Sequence, residues 1–185
     1  KAFKLDDAEC GHLFLLAHRR PPPAEAYQWP SVGPLIQSLL DDLVARPAYV
    51  ANLRWDVVAW NAGASDLFGF TDREPLARNI MRLVFADPAF RRRLPHWRDE
   101  APKLLAQFRY DLASAPDDPA MLALVDELKS LSPDFRQWFQ GASMENYARG
   151  IGAIRDLGGA QRGFVHEVLI VDEYRHLKMV VYFRQ

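Results

Sequence analysis

The stretch Pro47-Ala-Tyr-Val-Ala-Asn-Leu-Arg-Trp-Asp-Val-Val-Ala-Trp-Asn-Ala-Gly-Ala-Ser-Asp-Leu-Phe-Gly-Phe70 decides how the rest of the chain is read. Two runs rich in β-branched and aromatic residues, 48–53 and 56–60, flank a polar break at Arg54-Trp55. That pattern predicts a β-hairpin, although the break lacks an Asn-Gly turn. Asn61 follows the second run directly, where its side chain can accept from the free N–H groups of a new helix. Gly69 then ends that helix after Leu67-Phe68.

Outward from this stretch, the N-terminal side divides in two. Asp6 or Asp7 can cap a first helix, with Glu9 as capping-box partner of Asp6, and Ala8, Leu13, Leu16 and Ala17 fall on one face. Residues 19–34 hold Pro21, Pro22, Pro23, Pro30 and Pro34, a density that favours an extended, semi-rigid spacer. The expected division is an N-terminal remnant over 1–18, a linker over 19–33 and the main domain over 34–185. A helix over 34–45 opens that domain, with Leu35, Leu39 and Leu43 at helical spacing and Ile36, Leu40 and Val44 beside them.

On the C-terminal side, residues 78–140 read as helical. Asp87-Pro88, Asp118-Pro119 and Ser132-Pro133 each place a capping side chain before a proline at the first helical position. The longest helix is expected over 97–113, with Trp97, Ala101, Leu104, Phe108 and Leu112 on its apolar stripe and Pro102 near its start. Three strands follow, over 149–157, 162–171 and 177–183, joined by Gly158-Gly159 and by the polar loop 172–175. In the middle strand Phe164, His166, Val168 and Ile170 alternate with Val165, Glu167, Leu169 and Val171. In the last strand Leu177, Met179, Val181 and Phe183 alternate with Lys178, Val180, Tyr182 and Arg184. Two strands, several helices and three strands predict an α+β fold: one five-stranded antiparallel sheet with helices over one face, the layout of a PAS-type sensor.

Composition narrows the function. At 185 residues, 49% hydrophobic and 25% charged, the chain can bury a core, and a net charge of −1 gives no field drawing it to DNA or an anionic membrane. The run Arg91-Arg92-Arg93 reads first as a solvated helix face. The single Cys10 excludes an intrachain disulfide and suits a reducing cytoplasm. No apolar run is long enough to span a bilayer. The chain begins at Lys1, so more sequence is expected upstream.

Several segments together resemble the MmyB-like transcription regulator ligand-binding domain family. They are Pro47-Ala-Tyr-Val with Asn52-Leu-Arg-Trp-Asp-Val-Val-Ala-Trp-Asn61; Arg78-Asn-Ile-Met-Arg-Leu-Val-Phe85 with Asp87-Pro88; and Pro116-Asp-Asp-Pro119 with Leu128 and Ser132-Pro-Asp-Phe135. The similarity is good over 32–138. Where members carry Phe-x-His-Pro-x-Val-Gly before the penultimate strand, this chain has Arg155-Asp-Leu-Gly-Gly159. Residues 5–17 resemble the last helix of a Cro-repressor-type helix-turn-helix. The resemblance implies a cytoplasmic bacterial regulator that touches DNA only through an upstream domain.

The aromatics Trp55, Trp60, Phe68, Phe70, Phe85, Trp97, Phe108 and Trp138 suit either a plain core or a roomy apolar pocket. The resemblance to PAS-like sensors favours the pocket, with a fatty acid or similar lipophilic molecule as guest. Each buried methylene of such a guest contributes about 0.8 kcal/mol. The candidate ligand-binding residues are Trp60, Asn61, Phe68, Arg78, Asn79, Arg82, Leu83, Phe85, Trp97, Leu104, Phe108 and Trp138. Among them Arg78, Asn79 and Arg82 could meet a carboxylate at a helix start, or serve as caps and surface partners. A ligand-free dimerisation module is the alternative. Catalysis is not expected: His12, His18, His96, His166 and His176 lack metal-ligand spacing, no serine sits in a Gly-x-Ser-x-Gly elbow, and no glycine-rich phosphate loop is present. His166 and Glu167 are adjacent in a strand and face opposite ways.

Overall fold

The computed structural model describes residues 32–141, 150–156, 159–171 and 177–185. The expected N-terminal helix and proline spacer therefore lie outside the described residues, as does the loop 172–175. Helix α1 (Pro34–Asp42) leads into β1 (Ala48–Ala51), β2 (Val57–Trp60) and α2 (Ala62–Phe68). The helices α3 (Ile80–Phe85), α4 (Pro88–Arg92), α5 (Trp97–Leu112), α6 (Pro119–Leu131) and α7 (Pro133–Phe139) follow, then β3 (Ala153–Arg155), β4 (Gln161–Ile170) and β5 (Lys178–Arg184).

The five strands form one antiparallel sheet in the order β2-β1-β5-β4-β3. The last strand thus lies at the centre, pairing Val180 with both Tyr49 and Val168. This is the α+β, PAS-like arrangement that the strand order predicts. The strand alternation also holds: Phe164 is buried, while Val165 and Leu169 on the opposite face are exposed.

The predicted caps at Asp87, Asp118 and Ser132 are made, while the one expected at Asp6 or Asp7 lies outside the described residues. Asp87 accepts from the N–H groups of Ala89 and Phe90, Asp118 from Ala120 and Met121, and Ser132 from Phe135. Pro102 sits in the second turn of α5.

Three local readings need correction. The early hairpin turns over Asn52–Asp56 rather than at Arg54-Trp55 alone. Asn52 closes it, donating its backbone N–H to Asp56 O at 3.1 Å and accepting the Asp56 N–H on Oδ1 at 3.0 Å. That geometry puts Trp55 at φ 66°, the left-handed region. The β3–β4 join is likewise longer than Gly158-Gly159, because Arg155 pairs with Gln161 and Asp156 Oδ1 accepts the Ala160 N–H. Finally, the helices do not all lie on one face. Helices α2 to α7 share a core with Tyr49, Val180 and Tyr182, whereas α1 seats Leu40 on the other face against Val50, Met179 and Val181.

Candidate functional site

The inner face of the sheet carries Tyr49 and Ala51 on β1, Lys178, Val180 and Tyr182 on β5, and His166 and Val168 on β4. Helix α5 crosses this face with Glu100, Leu104, Gln107, Phe108 and Asp111 directed inward, at the spacing one helical stripe demands. Between the layers lies a partly enclosed cleft lined by Tyr49, Ala51, Asn52, Trp55, Ile80, Gln107, Val168, Lys178 and Val180. It holds about 330 Å³ of atom-free space, some open to solvent, of which about 20 Å³ admits a water-sized sphere. That is room for about one water.

The polar end of the cleft is closed by charge. Asp111 is fully buried, and its Oδ2 accepts from Lys178 Nζ at 2.5 Å and from Trp55 Nε1 at 2.9 Å. Gln107 donates to the other oxygen at 3.3 Å. A buried carboxylate survives only with such partners. Along the same sheet face, one step beyond Val168 and Val180, His166 pairs with Tyr182. Burial, the main influence, pushes the Tyr182 hydroxyl up to about 12. Glu100 Oε2 and His166 Nδ1 are both buried, with no hydrogen-bond partner among the described residues.

None of the twelve sequence candidates lines this cleft. Asn61 caps α2 and ties α1 to the sheet, and Asn79 caps α3 while donating to Arg54 O and Asp56 Oδ1. Arg82 forms a two-pronged bond to Glu127, which holds its guanidinium above its ordinary value. Arg78 donates to Phe70 O and lies 4.9 Å above the Trp60 ring. Phe68 stacks on Phe70 in the core, and Leu83 and Leu104 are buried. Phe108 comes nearest to the cleft, its ring edge-on to Trp55 at 6.2 Å. Phe85, Trp97 and Trp138 form a separate aromatic group with Phe135, and Trp138 borders a surface cleft between α5 and α7.

The cleft residues missed by sequence reading left one signal. Lys178 alternates in phase with Val180 and Tyr182, so an ammonium stands on the face of β5 that meets the main core. Asp111, seven residues after Leu104, is its counterpart on α5. An ionisable residue on each of two apolar stripes is a pairing signal.

No curated protein sequence matches the chain. A comparison with protein families matches residues 32–185, a span that takes in all the described residues, to the MmyB-like transcription regulator ligand binding domain. The chain therefore belongs to that family, a family of ligand-binding regulatory domains.

Proposed function

We propose that this chain is the sensor part of a bacterial transcription regulator and that it binds a small lipophilic molecule, a fatty acid in the simplest case, between sheet and helices. The observation that carries the reading is the cleft: Tyr49, Ala51, Trp55, Ile80, Val168 and Val180 give it apolar walls, and the Lys178 ammonium, paired with Asp111, offers N–H donors to a polar headgroup at one end. The present space is too small for an acyl chain. Occupancy must therefore move α5 against the sheet, and ligand affinity must differ between the closed and open arrangements, which is what sensing requires. Helix α1, held to the sheet through Leu40, is the element that would pass the change to the linker over 19–33 and to an upstream helix-turn-helix, where DNA is bound in the cytoplasm. The ligand is bound and released rather than transformed.

The test is native mass spectrometry of freshly purified chain, followed by titration of the delipidated chain with lauric acid. A co-purified lipophilic adduct, and binding that Ala51→Phe abolishes by filling the cleft, support the reading. No adduct and no binding reject it.

A second reading is a ligand-free dimerisation module. It is favoured by the apolar residues on the outer side, with Leu35 83%, Val165 48% and Leu169 52% exposed. Sedimentation of wild type and Leu169→Lys decides it.

A further inference from the structure

Two buried polar atoms are orphaned among the described residues: Glu100 Oε2 on α5 and His166 Nδ1 on β4. Both side chains lie against residues 150–152. A side chain at Gly150 would stand 2.8 Å from the His166 ring and 2.9 Å from Tyr182 Oη, and one at Gly152 would stand 3.0 Å from Glu100 Oε1. Residues 150–152 therefore pass close over all three groups, and glycine at 150 is what lets the backbone do so. The neighbouring polar atoms are already engaged. Tyr182 Oη accepts the Ile151 N–H at 3.2 Å, and the N–H groups of Gly152 and Ala153 face the Glu100 carboxylate. What remains is one buried oxygen and one buried ring nitrogen with no hydrogen-bond partner among the described residues. A buried polar atom left unpaired has lost its water without gaining a hydrogen bond, so the persistence of two calls for a missing partner.

That spot lies on the same sheet face as the cleft. His166 lies two residues before Val168 on the same strand face, about 7 Å along it. Glu100 lies two helical turns before Gln107, about 10 Å along α5, and eleven residues, about 16 Å, before Asp111. Between the Lys178–Asp111 end and the Glu100–His166 end run Leu104, Phe108, Val168 and Val180, all apolar. The interface between α5 and the sheet therefore carries polar groups at both ends and these packed apolar side chains between.

Resting on the lipophilic-ligand reading, we infer that a hydroxyl of the bound molecule seats between Glu100 Oε2 and His166 Nδ1, so that the molecule recognised is a hydroxylated acyl compound. A hydroxyl has one proton to donate and lone pairs to accept with, so it donates to one of the two atoms and accepts from the other. A methyl end in the same place leaves both unpaired, and sites with buried hydrogen-bonding groups discriminate strongly against analogues that lack the matching group. A second carboxylate is disfavoured beside Glu100. Burial keeps the imidazole below its ordinary value of 6.5, partly offset by Glu167, which suits a neutral partner.

The experiment is calorimetric titration of the delipidated 185-residue chain with decanoic, lauric and myristic acids and with their ω-hydroxy counterparts. At least one ω-hydroxy acid is expected to bind roughly ten-fold or more tightly than its parent, the effect of one hydrogen bond to a charged or buried partner. Glu100→Leu and His166→Phe are each expected to erase that preference while the parent acid still binds. In wild type labelled with ¹⁵N, the His166 Nδ1 resonance should move with the hydroxy acid and stay put with its parent, a readout that survives if either variant fails to fold. Equal affinities for every pair, as expected if only a water fills the spot, overturn the inference and leave the lipophilic-ligand reading standing. So does a preference that persists in both variants. If no acid of either kind binds, both fall.

Discussion

Lys178 Nζ sits 2.5 Å from Asp111 Oδ2, joining the central strand of the sheet to the helix that crosses it. Asp111 is 0% exposed at its side chain and Lys178 17%, so neither charge is well solvated. Removing one partner strands the other. Lys178→Met should destabilise the chain by about 3 kcal/mol, near the lower end for a broken buried pair, because Trp55 and Gln107 still support Asp111. Lys178→Met with Asp111→Leu should recover part of that loss. Urea unfolding of the two singles and the double closes the cycle; additive losses would mean that the pair is not coupled.

Asn61 works harder than a cap. Its Oδ1 accepts from Ala64 N at 2.9 Å and Ala48 N at 3.0 Å, while Nδ2 donates to the carbonyls of Leu40, Leu43 and Arg46. One side chain thus starts α2, anchors β1 and closes the turn after α1. Asn61→Ala should cost about 3 kcal/mol, more than the usual loss of a helix cap. Asn61→Asp should cost at least as much, since a carboxylate keeps the acceptors but faces three carbonyl oxygens. Thermal unfolding of the two variants tests the order; a loss near 1 kcal/mol in Asn61→Asp would refute it.

The contrast between these two residues shows what a sequence makes legible. The caps, the strand alternation and the sheet's membership depend on residues a few positions apart, and so Asn61, Asp87, Asp118 and Ser132 can be read as helix starts directly. The other half of Asn61's role, its bonds to the end of α1, spans 15 to 21 residues and depends on the chain path. The cleft was harder still. Its walls come from β1, α5, β4 and β5, and only the sheet order brings Lys178 beside Asp111. Aromatic residues drew attention instead, but Phe68, Phe85 and Trp97 fill space against one another, as large apolar side chains ordinarily do. The five-residue turns arose from Asn52 and Asp56, and from Asp156, whose side chain accepts a backbone N–H within its turn and so lengthens the loop in a way that hairpin dipeptides do not announce.

Glu100 and His166 also give opposite pH signatures. Burial raises the Glu100 carboxyl above its ordinary 4.5, against the lowering influence of Gly152 N–H, His96, Ala153 N–H and Lys103. The folded state then holds this proton to higher pH than the unfolded chain, so its contribution to stability falls as pH rises from 4.5 through the raised value. Burial lowers His166 below 6.5, so the unfolded chain takes a proton that the folded one refuses, and stability rises with pH up to 6.5 and is flat above it. The charged groups bearing on them are His96 and Lys103 for Glu100 and Glu167 for His166, with Tyr182 neutral between. Urea midpoints from acid to neutral pH should show His166→Phe losing the upper rise and Glu100→Gln losing the lower fall. Profiles parallel to wild type in both variants would remove the two groups from the account.

Arg54 and Asp118 tie the early hairpin to the roof. Arg54 Nε and Nη2 donate to the two carboxylate oxygens of Asp118 at 2.6 and 2.9 Å, while Asp118 Oδ1 also caps α6 through the N–H groups of Ala120 and Met121. The carboxylate is fully buried and the guanidinium 21% exposed, so water screens the bond little. Two substitutions separate its jobs. Asp118→Asn keeps an acceptor for the cap but loses the charge, and should cost about 1.5–3 kcal/mol, the range of one charged hydrogen bond. Asp118→Ala loses the cap as well and leaves Arg54 without its carboxylate, adding about 1 kcal/mol. Because the turn also holds Trp55 against Asp111, loosening it should expose the cleft's polar end. Amide exchange at Trp55 and Ile80, whose N–H bonds to Trp55 O at 3.0 Å, should quicken in Asp118→Asn before the sheet amide of Val180 does. Exchange that speeds uniformly through the chain would mean that the bond stabilises the fold as a whole rather than the turn alone.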